Sequence, residues 1–210
     1  LPVVWQGGVA TQLALPAGHT LARANGVNAS GTVVGSAGGG SGERAAIWIG
    51  GVPAIITVTA ANGAYMTTAY RVNNAGQAVG NGIDPANLAR NVGLLYDSAL
   101  NTMIEVPALA GQNGTIAFDI SQNGYVVGAS SFNQSNGQPF RWDAVGGSVQ
   151  IPLPVGTSQG SARGVNSGGW VVGNASGVFS VPFVFDGSQT YRVQDVIPAD
   201  IARTYALAQQ

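Results

Sequence analysis

A chain of 210 residues with 45% hydrophobic residues is long enough to bury a core, yet only 8% of it is charged, about a third of the ~25% usual in globular domains. Its eight basic residues are all Arg and scattered, and the net charge is −1, which excludes a basic surface for nucleic acid or for a polybasic membrane contact. The absence of cysteine removes disulfides, thiolate zinc sites and thiol catalysis. No apolar run approaches the ~20 residues of a membrane-spanning helix, and no secretory leader is visible. The chain starts at Leu1 rather than Met, which reads as a processed product or an excised segment.

In chain order, residues 1–16 (LPVVWQGGVATQLALP) read as the third and fourth strands of a unit whose first two are missing. Four hairpins follow: GVNASGTVVG (26–35), RVNNAGQAVG (71–80), DISQNGYVVG (119–128) and GVNSGGWVVG (164–173). In each, Asn28, Asn73, Ser121 or Asn166 opens a turn that Gly31, Gly76, Gly124 or Gly169 closes three residues later. Asn or Ser suits the first position of such a turn and Gly the left-handed fourth. A Val or Ile precedes the turn and a run such as TVV or WVV follows it, so each copy is strand–turn–strand.

Some 9 to 13 residues after each VVG-type Gly comes a third apolar run: AAIW (45–48), GLLY (93–96), PFRW (139–142) or PFVF (182–185). A tight turn and a fourth run follow: AIITV (54–58), MIEVP (103–107), VQIPLP (149–154) and YRVQDVIP (191–198). An Ala stands four residues before each turn Asn or Ser: Ala24, Ala69, Ala117 and Ala162. The repeats span about 17–60, 61–108, 109–154 and 155–198, and residues 199–210 read as the approach to another first strand. Four-stranded units of this length in tandem predict an all-β fold, a β-propeller of four-stranded antiparallel blades in one domain, 1–210. The N-terminal strands and the C-terminal strand are expected to share one composite blade, giving five.

The unit A-x-x-[VI]-[NS]-x-x-G-x-x-V-G, followed by [PA]-[FA]-x-[WF] and an L-P-like close, resembles the HAF-type extracellular repeat. The His-Ala pair of that repeat is replaced here by Gln138-Pro139 and Val181-Pro182. The resemblance implies an extracellular repeat domain of the kind found in secreted, surface and autotransporter-like bacterial proteins, and it implies no activity. Low charge and abundant Gly, Asn, Ser and Thr point the same way, to a secreted or cell-surface protein.

Candidate binding residues follow from position. Asp119 and Arg71 share one place on the first strand, facing an expected axial channel, as a polar ligand site or an ion pair filling a gap. Tyr70, Phe118 and Arg163 share the adjacent place, where packing between blades is the plain reading. The loops expected between second and third strands (36–44, 81–92, 129–138 and 174–181) offer Asp84, Asn87, Arg90, Phe132 and Asn133 to a protein or glycan partner on one face. Asp97, Asp143 and Asp186 recur after the third strand and read as turn formers rather than a glycosidase pair. The single His19 lies in a connector, reads as solvent-facing, and lacks a G-x-S-x-G elbow, so no catalytic triad is expected. No catalytic residue, cofactor or metal site is expected. The function expected is a non-enzymatic adhesion, interaction or assembly module. The alternatives are a lectin-like carbohydrate-binding propeller, a filament subunit that completes a blade by strand addition between molecules, and, least favoured, a glycoside hydrolase.

Overall fold

The computed structural model describes residues 1–40, 42–132 and 135–198, with the side chains of residues 132, 135 and 136 excepted. The strand approach expected at 199–210 lies outside these residues. The chain is all-β, a series of antiparallel sheets. First comes a ribbon of β1 (Val3–Gln6) and β2 (Val9–Gln12). Then come four four-stranded sheets: β3 (Leu21–Val27), β4 (Val33–Gly38), β5 (Arg44–Ile49) and β6 (Val52–Ile55); β7 (Tyr65–Val72), β8 (Gln77–Ile83), β9 (Val92–Asp97) and β10 (Thr102–Glu105); β11 (Gly114–Ile120), β12 (Val126–Phe132), β13 (Ser135–Asp143) and β14 (Gly147–Gln150); and β15 (Thr157–Val165), β16 (Val171–Gly177), β17 (Ser180–Phe185) and β18 (Thr190–Arg192). Within each sheet the spatial order follows the chain.

Several sequence expectations differ from what is observed, and the fourth strands lie earlier than expected, at β6, β10 and β14. Most of the expected second-to-third loops are strand: β12 and β13 run to within two residues of each other, as do β16 and β17, because Ser and Gly there continue the ladder into tight hairpins. Only about 39–43 and 84–91 remain as longer connections. The fourth strand of the last sheet stops at Arg192 and gives way to a one-turn helix, α1 (Val193–Val196).

The core lies between sheets rather than inside any one of them. Leu13, Val33 and Trp48 pack ribbon against the β3–β6 sheet, and the Trp48 indole N–H donates to Ala14 O at 2.8 Å. Val34, Met66, Ala69 and Leu94 fill the next layer, Val79, Ala117, Phe140 and Trp142 the third, and Val127, Ala162, Phe183 and Phe185 the fourth. Successive side chains on a strand point to opposite faces. The paired valines after each turn therefore serve two layers: Val33 faces the ribbon and Val34 the following sheet, Val126 the preceding sheet and Val127 the following one.

A cross-strand pair of small residues sets this spacing. Ala24, Ala69, Ala117 and Ala162 stand opposite Gly35, Gly80, Gly128 and Gly173. A Cβ on any of these glycines would overlap the carbonyl oxygen of the residue before the Ala: Arg23, Thr68, Ile116 or Ser161. Immediately after each Ala the first strand carries a bulge, at Asn25, Tyr70, Phe118 and Arg163.

The turns are tied across sheets. Gly31, Gly76, Gly124 and Gly169 all have φ near +80° (79, 81, 83 and 80°). Within its turn, Asn73 Oδ1 accepts from the N–H groups of Ala75 and Gln77, and Asn28 Oδ1 from those of Ser30 and Thr32. The same side chains then reach outward. Asn28 Nδ2 donates to Asn73 O (3.0 Å), Asn73 Nδ2 to Ser121 O (3.2 Å), and Asn123 Nδ2 to Ser167 O (2.8 Å). Ser121 has no amide, and Asn123 makes that third link in its place. The N–H groups of Ala29 and Asn74 donate to the side chains of Asn74 and Gln122.

Gly128→Ala is expected to lower stability by about 1–3 kcal/mol, since no flexible group can move from the Ile116 carbonyl. Gly40→Ala, where a Cβ meets open space, is expected to stay within about 0.5 kcal/mol of wild type in the same urea titration. Asn73, fully buried, is expected to cost about 2–4 kcal/mol on substitution by Ala, whereas the exposed Asn166 is expected to cost about 1 kcal/mol or less.

Candidate functional site

The four bulges place their side chains in a row along the first strands, which lie next to one another from sheet to sheet. Each reaches its neighbour. Asn25 Nδ2 donates to Ala69 O at 3.0 Å, the Tyr70 and Phe118 rings lie 6.1 Å apart, and the Arg163 guanidinium sits 4.0 Å over Phe118. Burial is the main influence that pushes the Tyr70 hydroxyl above its ordinary range. Arg71 and Asp119, one residue on, are 3.9 Å apart. Arg71 also donates to Asn25 O (2.8 Å) in the preceding sheet, and Asp119 accepts from Val165 N–H (2.9 Å) in the following one. Sequence position thus brings Tyr70, Arg71, Asp119 and Arg163 together on one edge, where Arg71 and Asp119 tie first strands through polar atoms and Tyr70 and Arg163 through contacts with the Phe118 ring.

The segment after β8 is organised by Arg90. Its Nε donates to Asp84 (2.8 Å), and its two terminal nitrogens grip Glu105 at 2.5 and 3.0 Å. Asp84 is buried, caps Ala86 N–H, and is held below the usual carboxylate range chiefly by the Arg90 hydrogen bond. Asn87 Oδ1 accepts from Ala89 N–H. Asp84 and Arg90 therefore clamp their own loop to β10. Asn133 falls outside the described residues, as does the Phe132 side chain. His19 is half-buried rather than solvent-facing: its Nδ1 lies 3.0 Å from Ala17 O, and its Nε2 is shielded from solvent with no partner among the described residues.

Two clefts open between neighbouring sheets. One, of ≈ 390 Å³, lies between the β3–β6 and β7–β10 sheets and is lined by Glu43, Arg44, Tyr65, Asn81 and Arg90. There the Arg44 guanidinium covers the Tyr65 ring at 3.7 Å. The other, of ≈ 610 Å³, lies between the β7–β10 and β11–β14 sheets. Gln77, Leu95, Asp97 and Ile104 form one wall, and Asn123, Gly124, Trp142 and Asp143 the other. The aspartates are turn formers, as their recurrence implied. Asp97 Oδ1 accepts from Ala99 and Leu100 N–H, Asp143 Oδ1 from Val145 and Gly146 N–H, and Asp186 Oδ1 from Ser188 and Gln189 N–H. Those backbone donors, Gly146 first, hold the Asp143 carboxyl below its ordinary range.

The larger cleft joins residues that sequence reasoning left in separate turns. The signal for it was the recurrence of Asp after the third strand together with the change of Leu95 to Arg141 at the aligned position. Among the described residues no three His, Cys, Asp or Glu side chains gather as metal ligands, and no helix is long and apolar enough to cross a membrane. The chain matches no known protein family and no curated protein.

Burial is the largest influence on Asp119 and raises its carboxyl above the ordinary value, against the N–H groups of Val165 and Ile120 and the charge of Arg71. The folded chain therefore holds the proton more tightly than the unfolded chain, and the ionised carboxylate subtracts from stability above the folded value. Asp119→Asn, which keeps an acceptor for Val165 N–H, is expected to match or exceed wild-type stability at pH 7. The gap should close as pH falls below about 4, the unfolded value. A variant less stable than wild type at pH 7 would contradict this.

Proposed function

We propose that this chain is a non-enzymatic, extracellular or cell-surface interaction module whose sheets stack as the blades of a five-bladed propeller. One observation carries the reading. Val34, Val79 and Val127 are each 0% exposed beneath the sheet that follows them, whereas their counterpart Val172 is 50% exposed. Trp170 beside it is 53% exposed. On the ribbon the side chains of the opposite parity, Val3 and Trp5, are 49% and 71% exposed. These two apolar faces are the halves of one more interface of the kind that recurs three times between the four-stranded sheets. A repeat that cannot bury its own faces requires a neighbour on each side. Closure packs the ribbon against the β15–β18 sheet, and the ribbon and the C-terminal strand together make the composite fifth blade. The low charge and the polar, Asn- and Ser-rich turns suit an extracellular surface, and the polar side chains of the inner edge serve to hold sheets together.

The same two faces favour a second reading, in which the ribbon of one molecule covers the β15–β18 sheet of the next and the chain is a link in a filament. Val3 corresponds to Phe183, and Val172 to Val127, which share one core layer. The absence of cysteine makes the test clean. In a Val3→Cys/Val172→Cys variant treated with a short bis-maleimide, closure gives a cross-linked monomer at all protein concentrations. Cross-linked ladders that grow with concentration would replace the closed module by the filament. A glycan array probed with the same protein is expected to stay blank, and saturable retention on one glycan class would move the reading to a lectin.

A further inference from the structure

We propose that the cleft between the β7–β10 and β11–β14 sheets is a receptor for an arginine side chain of a partner protein. The internal repeat supplies the template. At the next interface along the chain, between the β11–β14 and β15–β18 sheets, the corresponding place is filled by the molecule's own Arg141. Its guanidinium lies 4.9 Å from the Tyr125 ring and 5.9 Å from the Phe185 ring, donates to Gly169 O at 3.3 Å, and sits close enough to Asp143 to favour its ionised form. Aligning the repeats moves each of these contacts into the open cleft. Trp142 stands where Phe185 does, Gly124 where Gly169 does, and Asp97 where Asp143 does, while Gln77 replaces Tyr125. Leu95 replaces Arg141 itself and leaves the space vacant.

The polar chemistry of the walls selects the same ligand. No Arg lines the cleft, and two carboxylates do. Each spends one oxygen on its own turn. Asp143 Oδ2 accepts no hydrogen bond among the described residues, although the charge of Arg141 already acts on this carboxylate, and Asp97 Oδ2 has only a long contact with Gln77 Nε2 at 3.5 Å. Asn123 commits its Nδ2 to Ser167 O and keeps its Oδ1. Gln77 Oε1 already accepts from Asn73. Acceptors therefore predominate among the free positions, with the Thr102 and Tyr125 hydroxyls able to accept or donate, beside the apolar edges of Leu95, Ile104 and Trp142. A planar cation with a fan of N–H donors satisfies such walls. A phosphate or a sialic acid is repelled by them. The size of ≈ 610 Å³ is within the usual range for a small-ligand site. The cleft lies away from the two terminal faces, so its failure leaves the stacking of sheets untouched.

The test titrates the 15N-labelled chain with the peptide Ac-Gly-Arg-Gly-NH2 and its lysine counterpart. The arginine peptide is expected to shift the amides of Asp97, Gly124 and Asp143 and the Trp142 indole, saturably, with the lysine peptide weaker by about tenfold. Asp97→Asn is expected to weaken arginine binding by about tenfold as well. Leu95→Arg reproduces Arg141 in the open cleft and is expected to abolish binding while the remaining spectrum stays folded. Equal shifts with both peptides would reduce the effect to general attraction of cations and overturn the proposal. So would unchanged binding to Leu95→Arg or Asp97→Asn, or a neutral oligosaccharide that moves the same amides when the arginine peptide does not.

Discussion

A side-chain amide that serves two turns at once holds the architecture together. Asn73 closes its own turn with Oδ1 and reaches the next turn with Nδ2, and Asn28 does the same one repeat earlier. Few residue types can do both, because the task needs an acceptor and a donor on one short, rigid side chain. Hydrogen bonds between buried partners contribute modestly when made and cost more when one partner is left alone. The turn-to-turn links therefore act as a register pin: a sheet that slid along its neighbour would orphan Asn73 within the core. Where Ser121 takes the turn position, its Oγ still caps Tyr125 N–H, and the outward link passes to Asn123.

The layers follow from that register. A strand offers two faces, and in this chain both are apolar, so burial is complete only when a sheet has neighbours on both sides. The Ala–Gly pair allows first and second strands to approach closely, and the bulge after each Ala turns one residue towards a neighbouring sheet. Asn25, Tyr70, Phe118 and Arg163 thereby form a second line of contacts parallel to the turns. The candidate binding residues of the first strand and the structural ties between sheets are thus the same atoms. A cleft appears instead where the repeat varies in side-chain length, at Leu95, while Arg141 fills the homologous space one layer on.

Much of this was legible in the sequence because it rests on local chemistry. The turn residues, the hairpins, the two-stranded start and the period of the sheets all follow from Asn-x-x-Gly and alternating valines. The recurring aspartates were legible as turn formers for the same reason. The length of the second and third strands was not, since Gly and Ser in GASS (128–131) or NASG (174–177) carry loop propensity that pairing with the neighbouring strand overrides. Nor was the end of β18, where Val193–Val196 closes into a helical turn. The open cleft depends on which side chains from two different repeats face one another, a property of packing that no single stretch records.

Hydrogen exchange of the turn amides tests the central claim most directly. Gln77 N–H, Tyr125 N–H and Trp170 N–H each donate to the side chain that opens their own turn. Their local chemistry is alike, but Asn73 is pinned to the following turn while Asn166 is exposed and lies in the last of the four sheets. If turn-to-turn links carry the stability, Gln77 exchanges slowest and Trp170 fastest, and Asn73→Ala accelerates exchange at Tyr125 as well as at Gln77. Equal protection at Gln77 and Trp170, with the effect of Asn73→Ala confined to its own turn, would contradict the claim and leave each hairpin stable on its own.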